Sequence, residues 1–168
     1  MKKLIYLVGL IVVLLLAGFY AYRSVSLPKY NDNTQNMNHI DDTKIINSLV
    51  THEPGIYYFG FENCPWCKEL LPILDNQLAE NNAKAYTVDT KSKEFSNEDK
   101  QKVEDFFKKY TGENELTVPF TVFINSKKEV RYNIGTVSGH NAPEKRLTDK
   151  QKKQLIEILD ESIEFAEK

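Results

Sequence analysis

The sequence predicts an α/β domain, with a central mixed β-sheet flanked by helices, that follows an apolar N-terminal helix. Short apolar runs of strand length alternate with segments whose apolar residues recur at helical spacing. A strand–helix–strand passage implies parallel strands, and a hairpin near the end of the chain adds antiparallel ones. With 168 residues, of which 41% are hydrophobic, the chain can form one packed domain and a short appendage.

The N-terminal segment has the composition of a membrane anchor. Residues 4–22 carry no charge and are nearly all apolar. A helix of this length rises about 28 Å, enough to cross the hydrocarbon core of a bilayer. Lys2 and Lys3 precede the run, so the positive-inside rule leaves the rest of the chain outside the cell. We expect residues 1–23 to be an uncleaved single-pass anchor. Signal-peptide cleavage is the alternative, although phenylalanines interrupt the small-residue pattern that cleavage requires.

A linker and a folded domain are predicted after this segment. Residues 24–38 are polar, contain Pro28 and show no periodicity, so they are predicted to be a linker, with the domain at residues 39–168. The domain is predicted to follow the order α, β, α, β, α, β, β, α, at about residues 42–50, 56–61, 64–80, 83–89, 97–111, 117–124, 130–134 and 148–163.

Capping residues mark the starts of three helices. Asn63 is predicted to cap the helix at 64–80. Ser96 or Asn97 is suited to cap the next helix. Thr148 begins a capping box with Gln151, which starts the last one.

The two cysteines of the chain, Cys64 and Cys67, lie at the predicted junction of a strand and a helix. The partial positive charge of a helix N-terminus favours the thiolate of Cys64, and a thiolate attacks disulfides whereas a thiol does not. Cys67, one turn later, is placed to resolve the mixed disulfide that forms. We therefore expect a redox-active pair in which Cys64 is the exposed, acidic nucleophile and Cys67 is the resolving thiol.

Three other roles for the cysteine pair stay open: a structural disulfide, half of a zinc site, and two inert buried thiols. A disulfide across so short a loop would constrain the unfolded chain by only about 2 kcal/mol. A closed zinc site needs four ligands, and His39, His52 and His140 do not lie at ligand spacing. We therefore expect no metal and no other cofactor.

The order of elements and five positions resemble the thioredoxin superfamily over about residues 40–168. The five positions are Cys64, Cys67, Pro72 inside the following helix, Pro119 at the start of a later buried strand, and Gly135 after the hairpin. In that family the peptide bond before the proline is cis, and the backbone at the position of Val118 pairs with the substrate chain. A proline inside a buried strand is otherwise hard to place. The alternative is an ordinary trans proline where the strand begins.

Two features depart from typical thioredoxins. The buried aspartate that they place six residues before the first cysteine is Tyr58 here. The residues between the cysteines are Pro65 and Trp66 rather than Gly-Pro, closer to the Pro-Tyr of glutaredoxins. Glu62 and Lys68 lie near the pair and are candidates for proton transfer, the alternative being that they are solvated surface charges.

The resemblance implies an extracytoplasmic, membrane-anchored thiol–disulfide oxidoreductase, similar to bacterial anchored thioredoxin-like proteins and to accessory proteins of bacteriocin export. Trp66, Val118 and Pro119 are expected to line a shallow groove for a protein substrate that carries thiols or disulfides. A chain with two cysteines needs a separate membrane or extracellular redox partner. The alternative function is a thioredoxin-like adaptor for an export or cell-envelope system, with incidental redox activity.

The distribution of charge gives no support to nucleic-acid binding. Three of the 22 basic residues lie within the first 23 positions, whereas all 24 acidic residues follow them. The predicted domain is therefore acidic, and an acidic domain lacks the basic surface that nucleic acids require.

Overall fold

The computed structural model describes the backbone of residues 2–168 and the side chains of residues 6–18 and 26–168. The helices are α1 (Lys2–Val25), α2 (Asp42–Val50), α3 (Pro65–Glu80), α4 (Asn97–Thr111) and α5 (Asp149–Ala166). The strands are β1 (Met37–Asn38), β2 (Gly55–Gly60), β3 (Ala85–Asp89), β4 (Phe120–Ile124) and β5 (Val130–Ile134). The predicted order of elements after residue 39 is confirmed.

One mixed sheet with the strand order β1-β3-β2-β4-β5 organises the domain. β1 and β2 run parallel to β3, whereas β4 runs antiparallel to both β2 and β5. The centre of the sheet is therefore β2, which pairs with a neighbour on each side. The residues that follow β2 in the chain therefore lie at the end of the central strand, midway across the sheet.

Side chains of β2 alternate between two cores. Ile56 and Tyr58 lie in the core formed with α3 and α5, whereas Tyr57 and Phe59 lie in the core formed with α2 and α4. All four are buried, and burying a large apolar side chain contributes about 1.5–3 kcal/mol. A continuous apolar run is typical of a central strand that is covered on both faces. The prediction of an α/β domain with helices flanking a mixed sheet is confirmed.

The helix boundaries follow from local hydrogen bonds. Thr148 and Gln151 form the predicted capping box at the start of α5, with the Thr148 N–H donating to Gln151 Oε1 at 3.0 Å. Ser96 caps α4, since its Oγ accepts from the Asp99 N–H at 3.1 Å. The same helix ends at Gly112, whose φ of +80° is a left-handed conformation that glycine adopts without strain.

Part of the predicted linker lies against the domain. β1, which pairs with β3, falls within residues 24–38. Thr34 Oγ1 and Asn36 Nδ2 donate hydrogen bonds to the carboxylate of Asp75 in α3, at 2.7 and 2.9 Å. A strand of two residues carries no periodic signal, so the sequence pattern does not reveal this packing.

The predicted anchor, residues 1–23, corresponds to most of α1. Its large apolar side chains from Tyr6 to Leu16 are exposed. The side chains of residues 1–5 and 19–25 lie outside the described part of the chain. Among the residues that are described, no helix combines the length and the apolar content needed to cross a membrane.

An ion pair connects α3 with the loop before α5. The buried carboxylate of Glu69 is paired with Arg146, whose side chain is 29% exposed. Arg146 Nη1 also donates to the Ser26 carbonyl oxygen, so the same side chain connects the domain to the segment after α1. Pairing is what makes burial of the carboxylate tolerable.

We expect Arg146→Ala to lower the free energy of unfolding by about 2–3 kcal/mol, because it leaves the Glu69 carboxylate buried without a cation. This value lies at the lower end for broken buried pairs, since the arginine itself is partly solvated. Urea denaturation of the full chain measures the loss. The double variant Glu69→Leu/Arg146→Ala should lose less than Arg146→Ala alone, and an equal loss in both would contradict this account.

Candidate functional site

Cys64 and Cys67 lie where the central strand of the sheet passes into α3. β2 ends at Gly60, a turn covers residues 61–63, and α3 begins directly after Cys64. Both cysteines are free thiols. The Cys67 N–H donates a hydrogen bond to Cys64 Sγ at 3.2 Å. The structure therefore brings the predicted pair together within the first turn of one helix.

Cys64, and not Asn63, is the N-cap of α3, so the sequence-based prediction for this cap is wrong. The sulfur of Cys64 accepts from the Cys67 N–H in the way that an oxygen does in an ordinary cap. Pro65 follows at the first helical position, where its missing N–H is no loss. Cap preferences favour Asn over Cys, which is why the sequence indicated the neighbouring residue.

Electrostatic interactions make the two thiols different. The thiol of Cys67 hydrogen-bonds to Cys64 and is the main reason why the pKa of Cys64 falls to about 7, although burial opposes the fall. The N–H groups of Cys67 and Trp66 and the charge of Lys68 lower this pKa further. The hydrogen bond to Cys64, together with burial, raises the pKa of Cys67. These directions agree with the expectation that Cys64 is the acidic thiol.

Cys64 is less accessible than the sequence suggested. It is 4% exposed, and Cys67 is 0% exposed, so the expectation of an exposed nucleophile is wrong. The thiol of Cys64 lies against the loop before β4, where the Val118 carbonyl oxygen accepts its hydrogen bond at 3.7 Å. A contact between residues so far apart in the chain cannot be seen in local sequence patterns.

The start of β4 completes the site on that side. The Val118–Pro119 peptide bond is cis, the conformation expected from the sequence. The Gly135 N–H donates to the Pro119 carbonyl oxygen at 2.8 Å, and Gly135 has a φ of +66°, which favours glycine. Pro119 and Gly135 therefore lie next to each other, and Val118 connects them to Cys64.

The remaining candidate site residues differ in how closely they approach the cysteine pair. Trp66 is half-buried, and its Nε1 donates to the His140 carbonyl oxygen at 3.4 Å, which attaches it to the loop before α5. Lys68 is half-buried, and its charge acts on Cys64. Glu62 is exposed in the turn before Cys64, and no described contact within residues 26–168 joins it to either thiol. Of the two proton-transfer candidates, only Lys68 is thus brought to the site.

A cavity of about 690 Å³ lies between the segments after β2 and β3 and the segment before β4, and neither cysteine is among its lining residues. Its lining includes Phe61, Phe95, Leu116 and Val118, and Lys91 Nζ lies 5.6 Å from the centre of the Phe61 ring. Of the three residues predicted to line a substrate groove, only Val118 contributes to this cavity. The other residues that line the cavity are polar or charged, among them Lys100, Glu104 and Glu115, so the apolar side chains form only part of its surface.

Sequence reasoning noted Tyr58 as a departure from typical thioredoxins but did not include it among the site residues. Tyr58 is fully buried, and its Oη has no hydrogen-bond partner among the described residues. Burial raises the pKa of Tyr58 well above its usual value, and the neighbouring groups that act on its hydroxyl are Cys67 and Tyr30. The signal in the sequence was the position of Tyr58 six residues before Cys64, where typical thioredoxins have an acid.

No family model matches this chain, and no curated protein resembles it closely enough to count as a match. What the site can do therefore follows from its own geometry.

We expect the alkylation rate of the reduced full chain with iodoacetamide to rise with pH through a midpoint near 7. Only the thiolate reacts, and a lowered pKa leaves Cys64 ionised above that pH. Cys67→Ala should move the midpoint up towards about 8.5, the value of an unperturbed cysteine, because the Cys67 thiol is the main cause of the fall.

Lys68→Gln is the matched comparison, and it should raise the midpoint less than Cys67→Ala does. Cys64→Ser should remove the fast reaction altogether. A wild-type midpoint near that of free cysteine, or one that Cys67→Ala leaves in place, would show that the assignment of the two thiols is wrong.

Proposed function

We propose that this protein is a thiol–disulfide oxidoreductase with a thioredoxin-like fold, and that Cys64 and Cys67 are its catalytic pair. The observation that carries the proposal is the position of Cys64 Sγ. It lies at the N-terminus of α3, 3.2 Å from the Cys67 amide nitrogen and 3.7 Å from the carbonyl oxygen of Val118. The more acidic thiol thus lies beside the backbone that precedes a cis proline.

The architecture supports this proposal. The cysteine pair follows the central strand of a mixed sheet that has helices on both faces, and Pro72 lies inside the helix that the pair begins. The cis proline and the glycine after the hairpin lie in contact near the pair. These are the features by which the sequence resembles the thioredoxin superfamily.

The two thiols divide the reaction into two displacements. The Cys64 thiolate attacks a substrate disulfide, a bond forms between Cys64 and one substrate sulfur, and the other substrate sulfur leaves as a thiolate. Cys67 then loses its proton and attacks Cys64 Sγ, so that an internal disulfide forms and the second substrate thiolate leaves. Two electrons pass from the protein to the substrate. The reverse sequence oxidises a substrate dithiol, and in either direction a separate redox partner restores the pair.

Proteins with exposed disulfides or thiols are the proposed substrates. Val118 lines the cavity and also accepts the hydrogen bond of the Cys64 thiol. An extended segment bound in this cavity would contact Val118, whose carbonyl oxygen lies 3.7 Å from Cys64 Sγ. Phe61, Phe95 and Leu116 offer apolar contacts to its side chains.

The same proposal includes attachment of the domain to the outer face of a cell membrane by residues 1–23. Support comes from the exposed apolar side chains between Tyr6 and Leu16 in α1, since a helix that is apolar all round needs an apolar environment. The pair Lys2 and Lys3 before the apolar run sets the proposed orientation.

We expect the full chain to accelerate the reduction of insulin by dithiothreitol, and Cys64→Ser to return the rate to background. Cys67→Ala should instead accumulate a covalent complex with insulin that disappears on a gel when excess reductant is added. In the Cys67→Ala variant Cys64 can still attack, but the thiol that releases the substrate is missing. The matched control is Cys64→Ala/Cys67→Ala, which should trap nothing. Equal trapping by both variants would favour the adaptor alternative.

The topology is tested separately. Protease added to intact cells or spheroplasts that express the full chain should remove the domain, because the lysine flank is expected to keep the N-terminus in the cytoplasm. A cytoplasmic protein of known location serves as the control for lysis. Protection of the domain until the cells are broken would contradict the outward orientation without touching the redox proposal.

A further inference from the structure

The loop before α5, residues 135–148, encloses a cavity between two buried ends. Val137 and Leu147 lie in the core that α3 and α5 share. Between these two residues the loop lines a cavity of about 290 Å³. Close packing fixes the backbone of a protein interior, and a cavity of this size interrupts it. The conformation of the middle of the loop therefore depends on its hydrogen bonds.

His140 connects the two sides of this loop through both nitrogens of its ring. Nε2 lies 2.9 Å from the Lys145 carbonyl oxygen, and Nδ1 lies 2.7 Å from Thr136 Oγ1. A carbonyl oxygen only accepts, so Nε2 carries a proton and donates it to the hydrogen bond. In the neutral ring Nδ1 then accepts from the Thr136 hydroxyl. One imidazole thus holds together backbone from both sides of the cavity.

The backbone of His140 also reaches the cysteine motif. Its carbonyl oxygen accepts from Trp66 Nε1 at 3.4 Å, and Trp66 lies directly before Cys67. Three residues after Trp66, the carboxylate of Glu69 is paired with Arg146 from the same loop. The loop is therefore attached to the beginning of α3 at two points, and the ring of His140 fixes the backbone at the first of them.

The first turn of α3 needs contacts of this kind. The first N–H groups of a helix have no partner within the helix. In α3 the amide of Cys67 donates to Cys64 Sγ at 3.2 Å, and the amide of Trp66 acts on the same sulfur. Hydrogen bonds to a charged acceptor are stronger than those to a neutral one, so both amides favour the thiolate. A rotation of this turn would move them away from the sulfur.

We propose that His140 is a positioning residue for the thiol–disulfide reaction, which holds the loop before α5 against Trp66 and so keeps the first-turn amides directed at Cys64 Sγ. The inference rests on the proposed oxidoreductase function. The ring of His140 acts through the loop and the Trp66 side chain, not on the sulfurs. Because the thiolate belongs to the reduced pair, stabilising it makes the disulfide a stronger oxidant.

The equilibrium of the full chain with glutathione, measured at about pH 8.5, tests this role, since Cys64 is then mainly ionised. We expect His140→Ala to shift the equilibrium constant about three- to tenfold towards the disulfide, which makes the pair about 15–30 mV more reducing. The alkylation midpoint of Cys64 should rise as well. Trp66 is the one tryptophan of the sequence. Its emission should move to longer wavelength, because the freed indole meets more water.

Conservative variants separate the hydrogen bonds of the ring from its bulk. His140→Gln keeps a side-chain donor for the Lys145 carbonyl oxygen and should retain most of the wild-type potential. Thr136→Val removes a hydroxyl from a buried side chain of the same shape and should reproduce part of the His140→Ala shift. His39→Ala is the matched control, because His39 Nε2 also donates to a backbone carbonyl, that of Asp32, at 2.8 Å. It should leave both the potential and the emission unchanged.

Trp66→Phe tests whether the ring of His140 acts through the indole. This variant removes the donor to the His140 carbonyl oxygen and should shift the potential in the same direction as His140→Ala. The double variant Trp66→Phe/His140→Ala should shift it no further than the larger of the two single shifts, because both changes break one connection. A double shift equal to the sum of the single shifts would overturn the proposal.

The remaining outcomes distinguish the positioning role from the function on which it rests. If His140→Ala melts earlier than the wild type but keeps its potential, His140 is only structural, and the oxidoreductase proposal stands. Where His140→Ala does not fold, Thr136→Val supplies the same comparison. If the wild type forms no disulfide between Cys64 and Cys67 in any glutathione buffer, the proposed function fails and the positioning role fails with it.

Discussion

The hydrogen bond from the Cys67 amide to the sulfur of Cys64 joins the start of a helix to the ionisation of a thiol. Because Cys64 is the N-cap of α3, its sulfur is fixed by the same contact that satisfies the backbone of the first turn. A charged acceptor makes a stronger hydrogen bond than a neutral one, so the cap strengthens when the thiol ionises. The helix therefore stabilises the thiolate, and with it the reduced pair. Each contribution of this kind makes the disulfide a better oxidant.

Strand register then brings the other half of the site to this sulfur. Phe59 near the end of β2 pairs with Phe120 at the beginning of β4, so the residues before β4 meet the residues after β2. Phe120 also pairs with Ile134 at the end of β5, which places Gly135 beside Pro119. A slip of one residue would turn the side chains of β4 to the other face and separate Val118 from Cys64. The geometry of the site thus depends on the backbone pairing of β2 with β4 and of β4 with β5.

The sequence predicted what local patterns encode. Apolar periodicity located the helices and strands of the domain, and the cysteine spacing located the site. The sequence analysis misplaced the cap of α3, because the capping atom there is a sulfur where an oxygen is usual. It also missed β1, because a strand of two residues is too short to show a periodic pattern. The burial of Cys64 depends on Val118, and the direction of the Tyr58 hydroxyl depends on the space over Gly60. Both are contacts in three dimensions that no local pattern contains.

The polar side chain that the central strand places in the core under α3 is a neutral tyrosine, Tyr58. A carboxylate in this core would need a partner or would lose its charge, since burying an isolated ion costs several kcal/mol. Tyr58 stays neutral and avoids that cost, although its hydroxyl has no hydrogen-bond partner among the described residues. Tyr30, from the segment between α1 and the sheet, packs against the same core and donates a hydrogen bond to Asp32 Oδ2 at 3.3 Å. This segment packs against the domain, since Thr34 and Asn36 also donate hydrogen bonds to the carboxylate of Asp75 in α3.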